Sequence, residues 1–160
     1  MRVRLAGMAD AKAITNVINV AFKRAESFFI ERDRIDLDHV RGLLEAGEFL
    51  AAVDAETLVG CVYIERRGER AYVGLLSVDP SRQRSGLGSR LMTAAEDRCR
   101  EEGCRFIDLQ IVNLRQELPA FYRRRGYVQT GIAPFRPDLV TKLPCHFIKM
   151  SKPLMDEKHS

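Results

Sequence analysis

Residues 78–89, VDPSRQRSGLGS, bring together the residue types that hold phosphate. Gly86 and Gly88 carry no Cβ, so backbone N–H groups there can approach an anion closely. A helical pattern, LGSRLMTAAEDRCREEG, starts inside the loop. Its first turn adds unpaired N–H groups and the positive end of a helix dipole. Arg82 and Arg84 add positive charge. The segment lacks the GK[ST] of a Walker loop and the GxGxxG of a dinucleotide fingerprint; it reads Gln83-x-x-Gly86-x-Gly88. The chemistry expected here is the binding of a phosphorylated ligand at a strand–loop–helix junction.

The flanking elements follow from periodicity. Residues 71–78 (AYVGLLSV) read as the strand that feeds the loop, with Gly74 inside it marking a bulge or a close approach. The helix after the loop ends near Gly103, and residues 105–112 (RFIDLQIV) form the next strand. Residues 119–125 fall in a helix closed by Gly126. Upstream, residues 2–6 read as a first strand, and Asp10 caps a helix whose Ile14, Val17, Ile18, Ala21 and Phe22 share one face. Asp36 or Asp38 caps a second helix ending at Gly47. Residues 48–53 and 58–66 make a hairpin, and residues 127–132 and 145–150 are the last strands. The order β-α-α-β-β-β-α-β-α-β-β predicts a mixed α/β (α+β) sheet with helices on both faces.

Composition sets the outer bounds. A chain of 160 residues, 46% hydrophobic and 30% charged, fits one globular domain, expected over residues 1–152 with a frayed tail at 153–160. The net charge of +4 suits anionic ligands but is too small to argue for nucleic acid. Cys61, Cys99, Cys104 and Cys145 form no CxxC pair and read as reduced thiols of a cytoplasmic protein, with no metal site. The N-terminus shows no signal-peptide pattern, and no apolar run reaches membrane-spanning length.

With these elements in place, VDPSRQRSGLGSRLM resembles the acetyl-CoA-binding motif, Q/R-x-x-G-x-G/A, of the GCN5-related N-acetyltransferase (GNAT) superfamily. A second segment, LQIVNLRQELPAFYRRRGY, is similar to the family's strand–Asn–helix–Tyr–Gly-aromatic feature, through Asn113, Tyr122, Gly126 and Tyr127. The resemblance covers nearly the whole chain and implies the GNAT fold, acetyl-CoA as co-substrate, and transfer of its acetyl group to an amine in a ternary complex. It implies that backbone N–H groups of Arg84, Ser85, Gly86, Leu87, Gly88 and Ser89 cradle the pyrophosphate of coenzyme A, with Gln83 also at the cofactor. Leu76, Ser77 and Val78 would pair with the pantetheine arm, the Leu76 N–H meeting the thioester carbonyl. Asn113 would contact the pantetheine arm, and Tyr122 would protonate the leaving sulfur. Arg123–Arg125 have two readings from the residues themselves, a contact to a cofactor phosphate, expected of Arg124, or a solvated helix face.

The base is open at this stage. Some family members carry a glutamate where this chain has Tyr72, which leaves Glu31, Glu65 and Asp108 as candidates, acting directly or through water. His39 and His146 read as ordinary residues. The acceptor is expected between Phe28, Phe29, Glu31 and Arg32 on one side and the Pro-containing loop 135–146 on the other. Two other readings are a non-catalytic acyl-CoA-sensing module and a nucleotide-binding domain. The resemblance also implies a possible homodimer.

Overall fold

Runs rich in β-branched and aromatic residues pair into one seven-stranded sheet in the computed structural model, which describes residues 1–30 and 32–154. The strands are β1 (Arg2–Leu5), β2 (Glu48–Asp54), β3 (Thr57–Arg67), β4 (Arg70–Val78), β5 (Phe106–Val112), β6 (Val128–Pro134) and β7 (His146–Pro153). They lie in the order β1-β2-β3-β4-β5-β7-β6, antiparallel except where β4 and β5 run parallel. The helices are α1 (Ala11–Glu26), α2 (Leu37–Ala46), α3 (Leu87–Glu101) and α4 (Leu118–Arg124). The element order is the expected one, with short 3₁₀ turns added at Met8–Asp10 and Pro80–Arg82.

In β3, positions 59–64 are all buried, a pattern possible only when both sheet faces are covered. Alternate side chains serve two cores. Val62, Ile64, Ala71 and Val73 pack with Leu87, Leu91, Met92 and Ala95 of α3 on one face. Cys61 and Tyr63 pack with Ile14, Val17 and Ile18 of α1 and Val40 of α2 on the other. Contacts between the sheet and α1 on one side and α3 on the other fix the middle strands between two helical layers.

Local chemistry explains the ends, with some differences from expectation. Asp36 caps α2, its carboxylate accepting the His39 N–H at 2.7 Å. Asp10 precedes α1 but does not cap it. Its carboxylate accepts the Gly7 N–H at 2.8 Å and the Arg4 guanidinium at 2.9 Å, and the Arg4 bonds hold it below the usual carboxylate range. Gly126 follows α4 at φ +97°, the left-handed value that closes a helix. Pro153 and Leu154, expected in the tail, belong instead to β7 and to the core. Residues 155–160 lie outside the described residues.

Candidate active site

The sheet opens in its middle. β4 pairs with β5 only at Arg70↔Phe106, Ala71↔Ile107 and Tyr72↔Asp108. Both strands continue, β4 to Val78 and β5 to Val112, so beyond Tyr72 each presents an edge without a ladder partner among the described residues. A bulge drives the divergence. Cys61 faces Ser77 while Tyr63 faces Gly74, so β4 fits one extra residue into the register. That residue conformation falls on Leu75, at φ +54°, which costs a non-glycine residue about 1–2 kcal/mol. Gly74 sits beside it for a steric reason. A Cβ there would come within 2.7 Å of the Tyr72 hydroxyl oxygen, whose ring lies over the glycine.

The gap is a cleft of about 570 Å³ that runs from the glycine loop to the C-terminal end of α1. At the loop end it is lined by Arg82, Gln83, Arg84, Gly86, Leu87, Gly88 and Ser89. Arg84 at φ +66° and Gly86 at φ +79° curl the backbone into a concave turn of N–H groups. Gly86 is the N-cap of the 15-residue α3, and Arg90 is the first residue to donate back, to Gly86 O at 3.0 Å. The N–H groups of Leu87, Gly88 and Ser89 therefore have no partner within the helix. The arginines divide by role. Arg82 is paired with Asp54, and Arg125 holds Thr93 and Glu96 at 2.8 and 3.1 Å. Arg84 and Arg124 line the cleft, and Arg123 is exposed.

The walls carry Leu76, Val78, Phe121 and Tyr122. Tyr122 is 6% exposed and its ring packs edge-on against Phe121 and Tyr127, at 5.0 and 5.6 Å. Its hydroxyl makes no hydrogen bond within the described residues, and burial pushes the phenol up to about 12. It is therefore protonated at neutral pH and free to donate. Phe121 is only partly buried; it packs on the core and also lines the cleft. Ser77 is buried, its hydroxyl donating to Leu75 O at 2.9 Å, and the Ser85 hydroxyl donates to Arg82 O. Neither serine lines the cleft, and neither does Asn113. The Asn113 side-chain oxygen accepts the His146 N–H at 2.8 Å, and its own N–H donates to His146 O at 2.9 Å, so it ties β5 to β7.

The opposite end holds charge that the sequence reading did not single out. Glu26, the last residue of α1, lines the cleft at 5% exposure. Its Oε2 accepts from Arg115 at 3.2 Å. Burial raises its pKa, and the Arg34 and Arg115 charges oppose that rise. Arg34, Arg115 and Tyr72 line the same end, walled by Phe22, Phe135 and Phe147. A signal for Glu26 existed. The stripe Ile14-Val17-Ile18-Ala21-Phe22 continues at helical spacing to Ala25 and Glu26, which puts a carboxylate on the core face.

Comparison with known proteins bears on what this cleft is for. The family model described as Acetyltransferase (GNAT) family matches residues 12–127. The chain belongs to the GNAT acetyltransferase family. Blasticidin-S acetyltransferase of Streptomyces morookaense is 42% identical over 71 residues, 44% of this chain and 51% of that protein. IAA acetyltransferase of Azospirillum brasilense is 29% identical over 109 residues, 66% of this chain and 67% of that protein. The chain thus spans about half the length of the first relative and about two-thirds of the second. The solved structure of the Salmonella typhimurium protein yncA with its cofactor acetyl-CoA shares the fold. Its TM-score is 0.77 at 22% identity, over 98% of this chain and 95% of that one.

Within this GNAT fold the expected bases stand apart from the cleft. Glu65 accepts from the Tyr63 hydroxyl at 2.7 Å and from Arg67 at 2.8 Å, bonds that hold its carboxyl below the usual range. Asp108 is held low by two 2.7 Å bonds from Arg70. Neither lines the cleft. Glu31 lies outside the described residues. Of the expected acceptor residues, Phe135 lines the cleft, Phe29 is fully buried against it at 6.4 Å between ring centres, and Phe28 and Arg32 are exposed. His39 is exposed and His146 half-buried. Among the described residues no helix is long and apolar enough to cross a membrane.

Proposed function

We propose that the protein transfers the acetyl group of acetyl-CoA to a primary amine, with the cleft between β4 and β5 as the site. The observation that carries this reading is the continuity of the cleft: one opening joins the unpaired N–H groups at the start of α3, the free strand edge of β4 and the Tyr122 hydroxyl. Those parts fit an elongated pantetheine diphosphate. The N–H groups of Leu87, Gly88 and Ser89, with Arg84 and Arg124, suit the phosphates. The β4 edge offers backbone donors and acceptors to amides, as an added strand would use them.

Acetyl-CoA would supply an activated acyl group as a thioester. The chain's own residues do the rest. The Leu76 N–H, at the bulge on the β4 edge, is the donor for charge that develops on the carbonyl oxygen. Glu26 is the carboxylate placed to take the proton that the amine nitrogen sheds as the C–N bond forms. Tyr122 gives its proton to the sulfur as the C–S bond breaks, and solvent restores it. Glu65 and Asp108 stand outside the cleft, whereas Glu26 is a buried carboxylate that lines it.

Release of CoA thiol from acetyl-CoA, followed across a panel of primary amines, tests the reading. Turnover that saturates with at least one amine is expected. Tight binding of acetyl-CoA with no turnover would instead favour the sensing module, and a preference for ATP over CoA would remove both.

A further inference from the structure

We propose that the acceptor amine also carries a carboxylate, bound by Arg34, and an apolar side group. The proposal rests on the acetyl-transfer reading above and names its substrate class. Three arginines gather near the α1 end of the cleft, and two of them are neutralised. Arg115 is bonded to Glu26 at 3.2 Å and to Glu117 at 2.9 Å. Arg136 is paired with Asp138 at 2.6 Å, and its second arm donates to Arg34 O at 3.0 Å. Arg34 itself forms no hydrogen bond or ion pair from its guanidinium among the described residues.

The environment makes that vacancy costly. The Arg34 Nε is buried without a partner, and the guanidinium sits 5.3 Å from the centre of the Phe22 ring. Arg34 is half-buried, so its guanidinium loses part of its hydration with no bonded anion in return, and an anion that arrives in the cleft offsets that cost. Nearby charge adds to this: Arg136 repels Arg34, while Glu26, already shared with Arg115, attracts it. A planar carboxylate fits a guanidinium fork with two parallel bonds. A phosphate dianion suits the end less well, because one unpaired cation stands beside the Glu26 carboxylate.

The same geometry orders the rest of the molecule. With its carboxylate on Arg34, an α-amino acid would have its amine on the Glu26 side, in the cleft that leads to Tyr122. Phe22, Phe135 and Phe147 wall this end and suit an aliphatic or aromatic side chain. Uncharged amines would leave Arg34 unpaired, so the site discriminates against them, as sites built for a polar group reject analogues lacking it.

The test uses matched pairs: phenylalanine with phenethylamine, tyrosine with tyramine, and leucine with 3-methylbutylamine. CoA thiol release gives kcat/KM for each, and equilibrium binding is measured in parallel in the presence of CoA. The amino acids should exceed their decarboxylated partners by about tenfold or more, the equivalent of about 1.4 kcal/mol. In Arg34→Gln that ratio should fall towards one, while Arg34→Lys should retain part of it. Binding of acetyl-CoA by each variant shows that the fold is intact. If the amines match or exceed the amino acids, or if the ratio survives Arg34→Gln, the proposal is overturned and the transfer reading stands. If no amine of either kind is turned over, the transfer reading fails. The binding data then decide the proposal: Arg34-dependent binding of an amino acid supports it, and absence of such binding ends it.

Discussion

Replacing Gly88 by alanine should separate cofactor binding from folding. Gly88 is the second residue of α3 and lines the cleft. A Cβ there would meet Phe121 Cζ at 3.9 Å and Leu76 Cδ2 and Val78 Cγ2 at 4.0 Å. These are ordinary contacts, so the chain accommodates the methyl without strain. Alanine in a helix is favoured over glycine by about 0.5–1 kcal/mol, which for a domain of this size raises Tm by roughly 1–4 °C. The atoms it touches are side-chain carbons of the cleft wall, so the N–H groups of Leu87, Gly88 and Ser89 stay open to a phosphate. The family motif Q/R-x-x-G-x-G/A itself admits alanine at this position. Affinity for acetyl-CoA should therefore hold within about threefold, less than about 0.7 kcal/mol, while the melting temperature rises. Calorimetric titration and thermal melting of Gly88→Ala measure both quantities. An affinity lowered about tenfold or more, or a Tm lowered by several degrees, would refute the reasoning.

Three further outcomes follow from the same geometry. Tyr122→Phe should lower kcat by about 10²–10⁴-fold while acetyl-CoA affinity and Tm hold, because the hydroxyl bonds to nothing within the described residues; unchanged turnover removes the general-acid role. Glu26 works as a base only when ionised, and burial raises its pKa, so kcat/KM should be present above that raised pKa and lost as pH falls through it. The acid limb should thus lie above the ordinary carboxylate range, and Glu26→Gln should abolish the limb and most of the rate; a limb that persists in this variant assigns it elsewhere. Glu96 is buried and answers Arg125, Lys152 and the Tyr127 hydroxyl at 3.1, 3.2 and 2.9 Å, so Glu96→Ala should cost about 3–5 kcal/mol of stability in chemical denaturation. A loss below about 1 kcal/mol would show the network to be dispensable.

The features legible in the sequence are those written in short stretches of chain. Gly86 and Gly88 announced the loop because a phosphate cradle needs close backbone approach, and both line the cleft. Gly74 pointed to the bulge, although the strained conformation falls on its neighbour Leu75, because Gly74 makes room for the Tyr72 ring. The features that were not legible depend on contacts far apart in sequence. Arg115 meets Glu26 across 89 residues and Arg136 meets Arg34 O across 102, so nothing local marked Arg34 as the guanidinium left without a partner. Glu65 and Asp108 looked available as bases because their partners, Arg67 with Tyr63 and Arg70, become visible only in the folded sheet. Asn113 looked like a ligand contact, whereas its side-chain oxygen is committed to His146.

The central claim is that one cleft between β4 and β5 holds acetyl-CoA from the α3 N-terminus to Tyr122. A crystal structure of the complex with acetyl-CoA tests it most directly. The predicted result places the diphosphate on the N–H groups of Leu87, Gly88 and Ser89, with the thioester between the Leu76 N–H and the Tyr122 hydroxyl. Acetyl-CoA bound outside this cleft, or a thioester remote from Tyr122, would contradict it.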